Sequence, residues 1–479
     1  MTANASPARS EVLRILRRSF AAVDREYTDL ALNVRGRIPA GLAGVLYRNG
    51  PGRVERGGHE YGHLFDGDGH VCRFSFGRGE VRYTNRYVHT AAYDEEERAG
   101  RIIYRCLGTN RPGGIPANFL NLKFRNPANT NVIQHAGRLL ALYEGGPPIE
   151  LDPVDLETLG EYDIGGALQN PFDPISRLLS PHLPFTAHPA VDRASGELFG
   201  FGVLAGRPNR LLIYRLDAGG RCVDRRELRL DRSRFVHDVL LTEHWLVFLL
   251  PEVDFRLFRV IFGLTSIIGS MSARTDRPMQ VLLVPRDGGE PVSFETIPGF
   301  VFHFAGGAEH PDGSLHANLI HHAHFPALDN LDDLLTEGDA LGRLTRLEID
   351  PGSRKTEAIV LSEHAHELPR LGTDDQRIFS CGVPAGRAMP FYSAILSTTL
   401  GDDGRSAQSV VRDFYPDLPG EPIPVDVDGE TLLLTLVYRA EAHRTELLVL
   451  RAGDLSTLAE IELPHSLPPG FHGNWVADA

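Results

Sequence analysis

Short runs of aliphatic, β-branched and aromatic residues, each cut off by glycine, proline or another turn former, recur along nearly all of this 479-residue chain. They include GVLYRNG from Gly44, VCRFSF from Val71, RLLALYE from Arg138, RLLIYRL from Arg210, WLVFLLP from Trp245, QVLLVPR from Gln280, TLLLTLVY from Thr431 and TELLVLR from Thr445. Runs of this length bounded by turn signals read as strands. Helical periodicity is confined to the N-terminus, where Leu13, Leu16 and Phe20 share a face, and to the stretch 327–336 (ALDNLDDLLT). A sheet cannot continue through so many strands without curling, splitting or repeating radially. Several runs have the form of one blade strand of a propeller, although the repeat is too degenerate to fix a period. No linker or composition shift divides the chain. The expectation is an all-β propeller, a single domain over residues 1–479 with residues 1–27 as an N-terminal helical extension.

Composition removes several classes of function. Forty-nine Lys+Arg against 63 Asp+Glu give a formal charge of −14, so a broadly basic nucleic-acid binder is excluded. Cys72, Cys106, Cys222 and Cys381 lie far apart with no CxxC spacing. That argues against a disulfide framework or thiolate metal site and fits a reducing cytoplasm. Charged residues interrupt every apolar stretch of residues 1–27, so there is no secretory signal. No run of 18 apolar residues exists. The nearest approach is Phe255–Met271 (FRLFRVIFGLTSIIGSM), too polar to span a bilayer yet unusually apolar for a loop.

Three motifs carry less than they promise. His59-Glu60-Tyr61-Gly62-His63 matches the zinc-protease HExxH pattern, but that pattern needs a helix, and Gly57, Gly58 and Gly62 speak against one. Asp66-Gly67-Asp68-Gly69 resembles the start of a calcium loop. Val71 stands at position six and Gly77 at position twelve, where glycine and glutamate are required, so it reads as a tight turn between strands. The histidine-rich stretch around His316, His321, His322 and His324, with His364 and His366, offers no closed ligand set and reads as solvated or structural.

A fourth pattern is dispersed. His188 (FTAHPAVD), His237 (FVHDVLL), His303 (FVFHFAGG) and His472 (PPGFHGNW) each sit where an apolar run meets a turn. Their spacings are about one, one and three units of roughly 50–60 residues, the size of a propeller blade. Equivalent positions of different blades meet at the axis, so the four could converge. By spacing alone, four separate core histidines remain an equal reading.

At these residues the chain resembles the carotenoid cleavage oxygenase family, closest to its bacterial apocarotenoid oxygenases. The resemblance rests on LYRNGP (46–51), GHLFDGDG (62–69), ANTNVI (128–133), LLALYEGG (139–146), TAHP (186–189), VHD (236–238), FHFAGGAE (302–309), GEP (420–422) and HGNW (472–475), in the family's order over nearly the whole chain. It implies a seven-bladed β-propeller with helical and loop segments capping the active-site face. It implies non-haem Fe(II) held by His188, His237, His303 and His472. It also implies glutamates bonded to three of these rings, at Glu144, Glu367 and Glu421. Residues 170–184 (NPFDPISRLLSPHLP) look like an insertion relative to the family.

The implied chemistry is coherent. Imidazole suits Fe(II), and four neutral ligands leave two octahedral positions open. An outer carboxylate fixes each ring's tautomer and orientation. The expected reaction is dioxygenase cleavage of a conjugated C=C bond of a carotenoid or apocarotenoid into two carbonyl products. The alternatives are the same iron chemistry on a stilbene or phenylpropenoid, and a binding propeller without catalysis. Stilbene-cleaving relatives carry a lysine before the first glutamate, where this chain has Tyr143, which favours a polyene. The resemblance also makes Phe255, Phe258, Ile261 and Phe262 a membrane or substrate-entry patch. The expected partners are therefore an apolar polyene, O₂ and a membrane surface touched peripherally from the cytoplasm, with no nucleic acid.

Overall fold

The computed structural model describes residues 7–172, 177, 181–206, 208–326, 335, 341–387 and 391–478. The helical expectation at 327–336, except for residue 335, and much of the insertion at 170–184 lie outside the described residues. Strands dominate the rest. The helices are short: Pro7–Ser19, Ala91–Ala99, Gly114–Asn118 and Leu257–Ile261. The first buries Val12, Ile15 and Leu16 against Phe391, Leu418 and Tyr438.

Antiparallel sheets follow one another along the chain. The first is ordered Tyr27–Ala31, Glu80–Tyr87, Asp68–Gly77, Gly44–Arg53, Gly473–Ala477, so the chain's last strand completes a sheet begun by its first. Four-stranded sheets then occupy 131–161, 190–230 and 240–298, a seven-stranded sheet 300–413, and a sixth sheet 418–462 with Asn33–Gly36 on its edge. The seven-stranded sheet turns on its 17-residue strand Lys355–Leu371. Residues 355–360 pair with Thr345–Asp350, and residues 365–371 pair with Arg377–Val383, Ala365 also pairing with Arg343.

Period-two alternation explains the packing. In Trp245–Leu250, Leu246, Phe248 and Leu250 face Phe199, Phe201 and Ile213 of the preceding sheet. Val247 and Leu249 face Leu315, Leu319 and Leu347 of the next. Both faces are buried, which is why the run reads as continuously apolar rather than alternating. The edge strand Cys222–Leu230 instead alternates half-buried with exposed residues and carries Arg225, Arg226, Glu227 and Arg229, which discourages edge-to-edge pairing. The face-to-face packing continues from sheet to sheet and returns to its start. Tyr47 and Val71 meet Val132 and Ala141, and Leu434 and Val449 meet Phe74 and Tyr83.

One terminal strand of each sheet lies innermost. Gly473–Ala477 touches Asn131–His135, and Leu240–Leu241 touches both Ala190–Val191 and Phe300–Glu309. One motif reading holds and one is adjusted. His59–Glu60 is a two-residue strand with no helix around it. At Asp66–Gly69 the expected turn is present only up to Asp66, where a 3-10 turn ends; a strand already starts at Asp68, and both carboxylates are buried. Asp66 accepts hydrogen bonds from Gly108 N at 2.9 Å and Thr109 Oγ1 at 2.6 Å, and Asp68 lies between Arg56 and Arg125. Sequence alone could not supply those distant partners.

Candidate metal centre

The innermost strands all begin at the same end, and the four dispersed histidines gather there. His188 stands two residues before Ala190–Val191, His237 three before Leu240–Leu241, His472 one before Gly473–Ala477, and His303 lies within Phe300–Glu309. One ring nitrogen from each falls within 4.8 Å of the others. The His188 ring lies 4.4 Å from that of His237 and 4.5 Å from that of His472, centre to centre. His237 Nε2 and His303 Nε2 are 3.2 Å apart.

The outer nitrogens are engaged. His303 Nδ1 donates to Glu367 Oε2 at 2.8 Å and His472 Nδ1 to Glu421 Oε1 at 2.9 Å. His237 Nδ1 pairs with Glu144. A ring that donates through Nδ1 presents a bare lone pair at Nε2. Two bare lone pairs at 3.2 Å repel unless a cation lies between them. His188 Nε2 is buried and has no hydrogen-bond partner. With metal–nitrogen bonds of about 2.1 Å, cis ligands of an octahedron sit about 3.0 Å apart and trans ligands about 4.2 Å. The residues therefore fit a divalent metal ion with open positions left over.

Electrostatics favours the neutral ring at His188 and His472 but not at His237. Burial, then the neighbouring imidazoles, pushes His188 well below the ordinary histidine value. Burial takes His472 down to about 4, against the opposing pull of Glu421. At His237 burial works the same way, but Glu144 outweighs it and the value rises. Burial would raise Glu367, yet His303 and His322 hold it well below the usual carboxylate range. Glu421 is likewise held low against burial by Arg370, His472 and Arg48.

The carboxylates differ in what else they hold. Glu144 follows the strand Arg138–Leu142 and its side chain remains partly exposed. Glu367 also accepts His322 Nε2 at 2.9 Å and Leu368 N at 2.8 Å. Glu421 is fully buried and accepts Arg48 Nη1 at 2.5 Å, Arg370 Nε at 2.8 Å and Gly473 N at 3.0 Å. Sequence reasoning missed Arg48, Arg370 and His322. Arg48 and Arg370 were visible only as members of LYRNGP and HELPRL, and His322 only as one of a histidine cluster. The other histidines of that cluster serve elsewhere: His316 faces His310 at 3.1 Å, His321 bonds Pro298 O, and buried His366 lies between Ser362 and Ser380. Beside Glu144, burial, then Cys106 and Asp66, drives the Tyr143 phenol well up, so it stays neutral.

The segment 251–277 leaves the strand Trp245–Leu250 at the histidine end of its sheet, because that strand runs antiparallel to Leu240–Leu241. Phe258 is 58% and Phe262 43% exposed, whereas Phe255 and Ile261 are half-buried. The segment 114–120, overlooked in the sequence, adds exposed Ile115, Phe119 and Leu120, and Phe119 stacks on Phe262 at 5.7 Å. Beneath both segments lies Arg105, fully buried. It donates to Asn110 Oδ1, Asn121 O, Val260 O and Thr265 O at 2.8–3.1 Å. No helix among the described residues is long and apolar enough to cross a membrane.

Comparison with known proteins completes the description. The profile of the family described as retinal pigment epithelial membrane protein (RPE65) matches residues 20–477. The apocarotenoid-15,15'-oxygenase of Synechocystis sp. is 33% identical, over 96% of this chain and 95% of its own length. The crystal structure of cobalt-substituted Synechocystis ACO superposes with a TM-score of 0.89 at 30% identity, covering 97% of this chain and 99% of that one. Resveratrol cleavage oxygenase 1 of Chaetomium globosum is 27% identical, over 93% of this chain and 84% of its own length.

Proposed function

Because the chain belongs to the RPE65 family of carotenoid oxygenases, we propose that it cleaves a conjugated C=C bond of a carotenoid or apocarotenoid oxidatively, with Fe(II) held by His188, His237, His303 and His472. The observation that carries this reading is the convergence of four imidazoles within 4.8 Å, three of them backed by carboxylates. The stoichiometry needs no outside reductant: one alkene and one O₂ give two carbonyls. A bound Fe(II) supplies the redox chemistry that joins O₂ to the alkene. The chain's own residues do the rest. Glu144, Glu367 and Glu421 hold three rings in the tautomer that presents Nε2. Arg48 and Arg370 anchor Glu421, and His322 anchors the second oxygen of Glu367.

We read the fold as one seven-bladed propeller domain, capped by helical and loop segments on the histidine face. The seven-stranded sheet then counts as two blades joined through Lys355–Leu371. On that count four blades each supply a histidine and the other three each supply a glutamate.

A stilbene substrate is less favoured. The position before Glu144 is Tyr143, and the chain's lysines, Lys123 and Lys355, are both exposed, so no ammonium group is placed to meet a phenol. A polyene must come from a lipid phase, and the paired segments 114–120 and 255–264 suit peripheral contact with one. Arg111, Lys123, Arg256 and Arg259 surround them and form no ion pair among the described residues. In a chain of net charge −14 this is a local cationic rim. The cysteines are free, in keeping with a cytoplasmic setting.

The test is anaerobic loading with Fe(II), followed by a panel of apocarotenals and hydroxystilbenes under O₂ with mass analysis. Two carbonyl products from a polyenal, none from a stilbene, and neither product nor bound iron in His303→Ala are expected. An iron-loaded protein inert to every polyene would refute the reading.

A further inference from the structure

A cavity of about 460 Å³ lies below the four histidines, on the side away from the apolar segments. Its inner end is formed by His188, His303 and His472. Its walls follow the innermost strands past Asn131, Asp238 and Asn474. It reaches the exposed residues Gln134, Val191 and Arg193. The two sides of the centre differ in character. On the N-terminal side of the ligands stand Phe235, Phe302 and Phe471: the Phe302 ring is 5.2 Å from that of His237, and Phe471 packs on Phe65 at 5.2 Å. On the C-terminal side polar groups outnumber apolar ones, although Ile133, Val239, Phe304, Trp475 and Val476 also line the cavity.

We propose that this axial cavity is the route by which the metal ion enters the folded protein, separate from the apolar approach that suits a polyene. A hydrated divalent cation cannot shed its water in an aromatic passage without a very large penalty, whereas amide and carboxylate walls replace that water stepwise. The charges agree. Glu144, Glu367, Glu421 and Asp238 against Arg48 and Arg370 leave the centre two negative charges in excess, which a divalent ion cancels. At the far mouth stands Arg193, a cation in the path of a cation.

The inference rests on the four-histidine metal site, and the experiment separates the two. Apoprotein prepared with a chelator is mixed with Co(II) at low ionic strength, samples are quenched with EDTA, and bound cobalt per chain is followed in time. Final occupancy tests the site, and the rate tests the route. Val191→Trp, which fills the mouth, is expected to slow uptake roughly tenfold or more while reaching the wild-type occupancy. Arg193→Glu, at an exposed position where folding is not at stake, is expected to speed uptake about 2–3-fold, an effect that 0.5 M salt removes. Wild-type rates in both variants would overturn the route. So would folded apoprotein that takes up no cobalt although protein folded in its presence holds one ion per chain, because loading would then precede closure of the fold.

Discussion

Exchanging each carboxylate of the centre for its amide should give a graded series, and the hydrogen bonds set the order. Glutamine keeps one acceptor oxygen and replaces the other with an NH₂ donor. At Glu144 only the His237 ring is engaged, so the amide oxygen takes over that bond and only the charge is lost. Glu144→Gln should weaken metal binding about tenfold, at the mild end of the usual 10–100-fold cost of such changes. At Glu367 the amide oxygen can face His303 Nδ1 and Leu368 N, while the NH₂ meets His322, a ring able to accept in its other tautomer. At Glu421 no orientation works. One oxygen holds His472 Nδ1 and Arg370 Nε, the other Arg48 Nη1 and Gly473 N, and neither guanidinium nor backbone amide can turn acceptor. Two hydrogen bonds are lost whichever way the amide turns, at about 1.5–3 kcal/mol each where charge is involved. Together that is about 3–6 kcal/mol, and two buried or half-buried arginines also lose their shared counterion, a change that by itself typically costs about 3–5 kcal/mol, so the loss should be at least about 3 kcal/mol. Glu421→Gln should therefore lower global stability, read by urea unfolding of the apoprotein, as well as metal affinity, read by chelator competition. Glu144→Gln should change only the affinity. Equal stability of the two apoproteins, or a larger loss at Glu144, would refute this account of the carboxylates.

His322→Ala should lower metal affinity several-fold by freeing one oxygen of Glu367, whereas His316→Ala, remote from the centre, should not; metal titration distinguishes them. Burial, then His364 and Arg343, pushes His366 down to about 3, so the unfolded chain binds the extra proton between that value and 6.5. Stability should fall with decreasing pH across this window, and His366→Gln should flatten the slope by about 1.4 kcal/mol per pH unit in urea unfolding between pH 6 and 4. Phe258→Ser with Phe262→Ser should reduce binding to all vesicles. Lys123→Gln with Arg256→Gln and Arg259→Gln should reduce it only on anionic ones, at about 1 kcal/mol per cation, in flotation assays. Arg105→Met should leave the carbonyls of Asn121 and Thr265 without a donor, at about 1–3 kcal/mol each, and Val260 O with only its bond from Gly263 N, and should make residues 255–268 exchange amide hydrogens faster.

Strands were the most legible feature of the sequence. Nearly every apolar run bounded by turn formers is a strand here, because burial on both faces of a sheet demands such runs. His188, His237, His303 and His472 illustrate the opposite limit. Their local surroundings resemble any strand end, and their meeting is a property of how sheets pack in sequence, which no single segment encodes. The family's ordered motifs supplied what spacing did not. Arg48 and Arg370 were hidden because a buried arginine is identified by its carboxylate, and Glu421 lies 373 residues from one of them. Asp66 and Asp68 misled for the same reason: Asp-Gly pairs usually signal solvated turns, and only the distant Arg125 and Thr109 make them interior residues.

The position of His472 has a temporal meaning. It immediately precedes the strand that completes the first sheet, so the same few residues finish both the ring of sheets and the group of four imidazoles. At about 5–20 residues per second, the roughly 280 residues separating His188 from His472 take about 15–60 s to be added during synthesis. Throughout that interval the nascent chain carries an open sheet edge and an incomplete set of imidazoles. Loss of the last eight residues would remove the closing strand and the final ligand together. On the reading proposed above, an ion held by all four imidazoles would report that Gly473–Ala477 had paired with Gly44–Arg53.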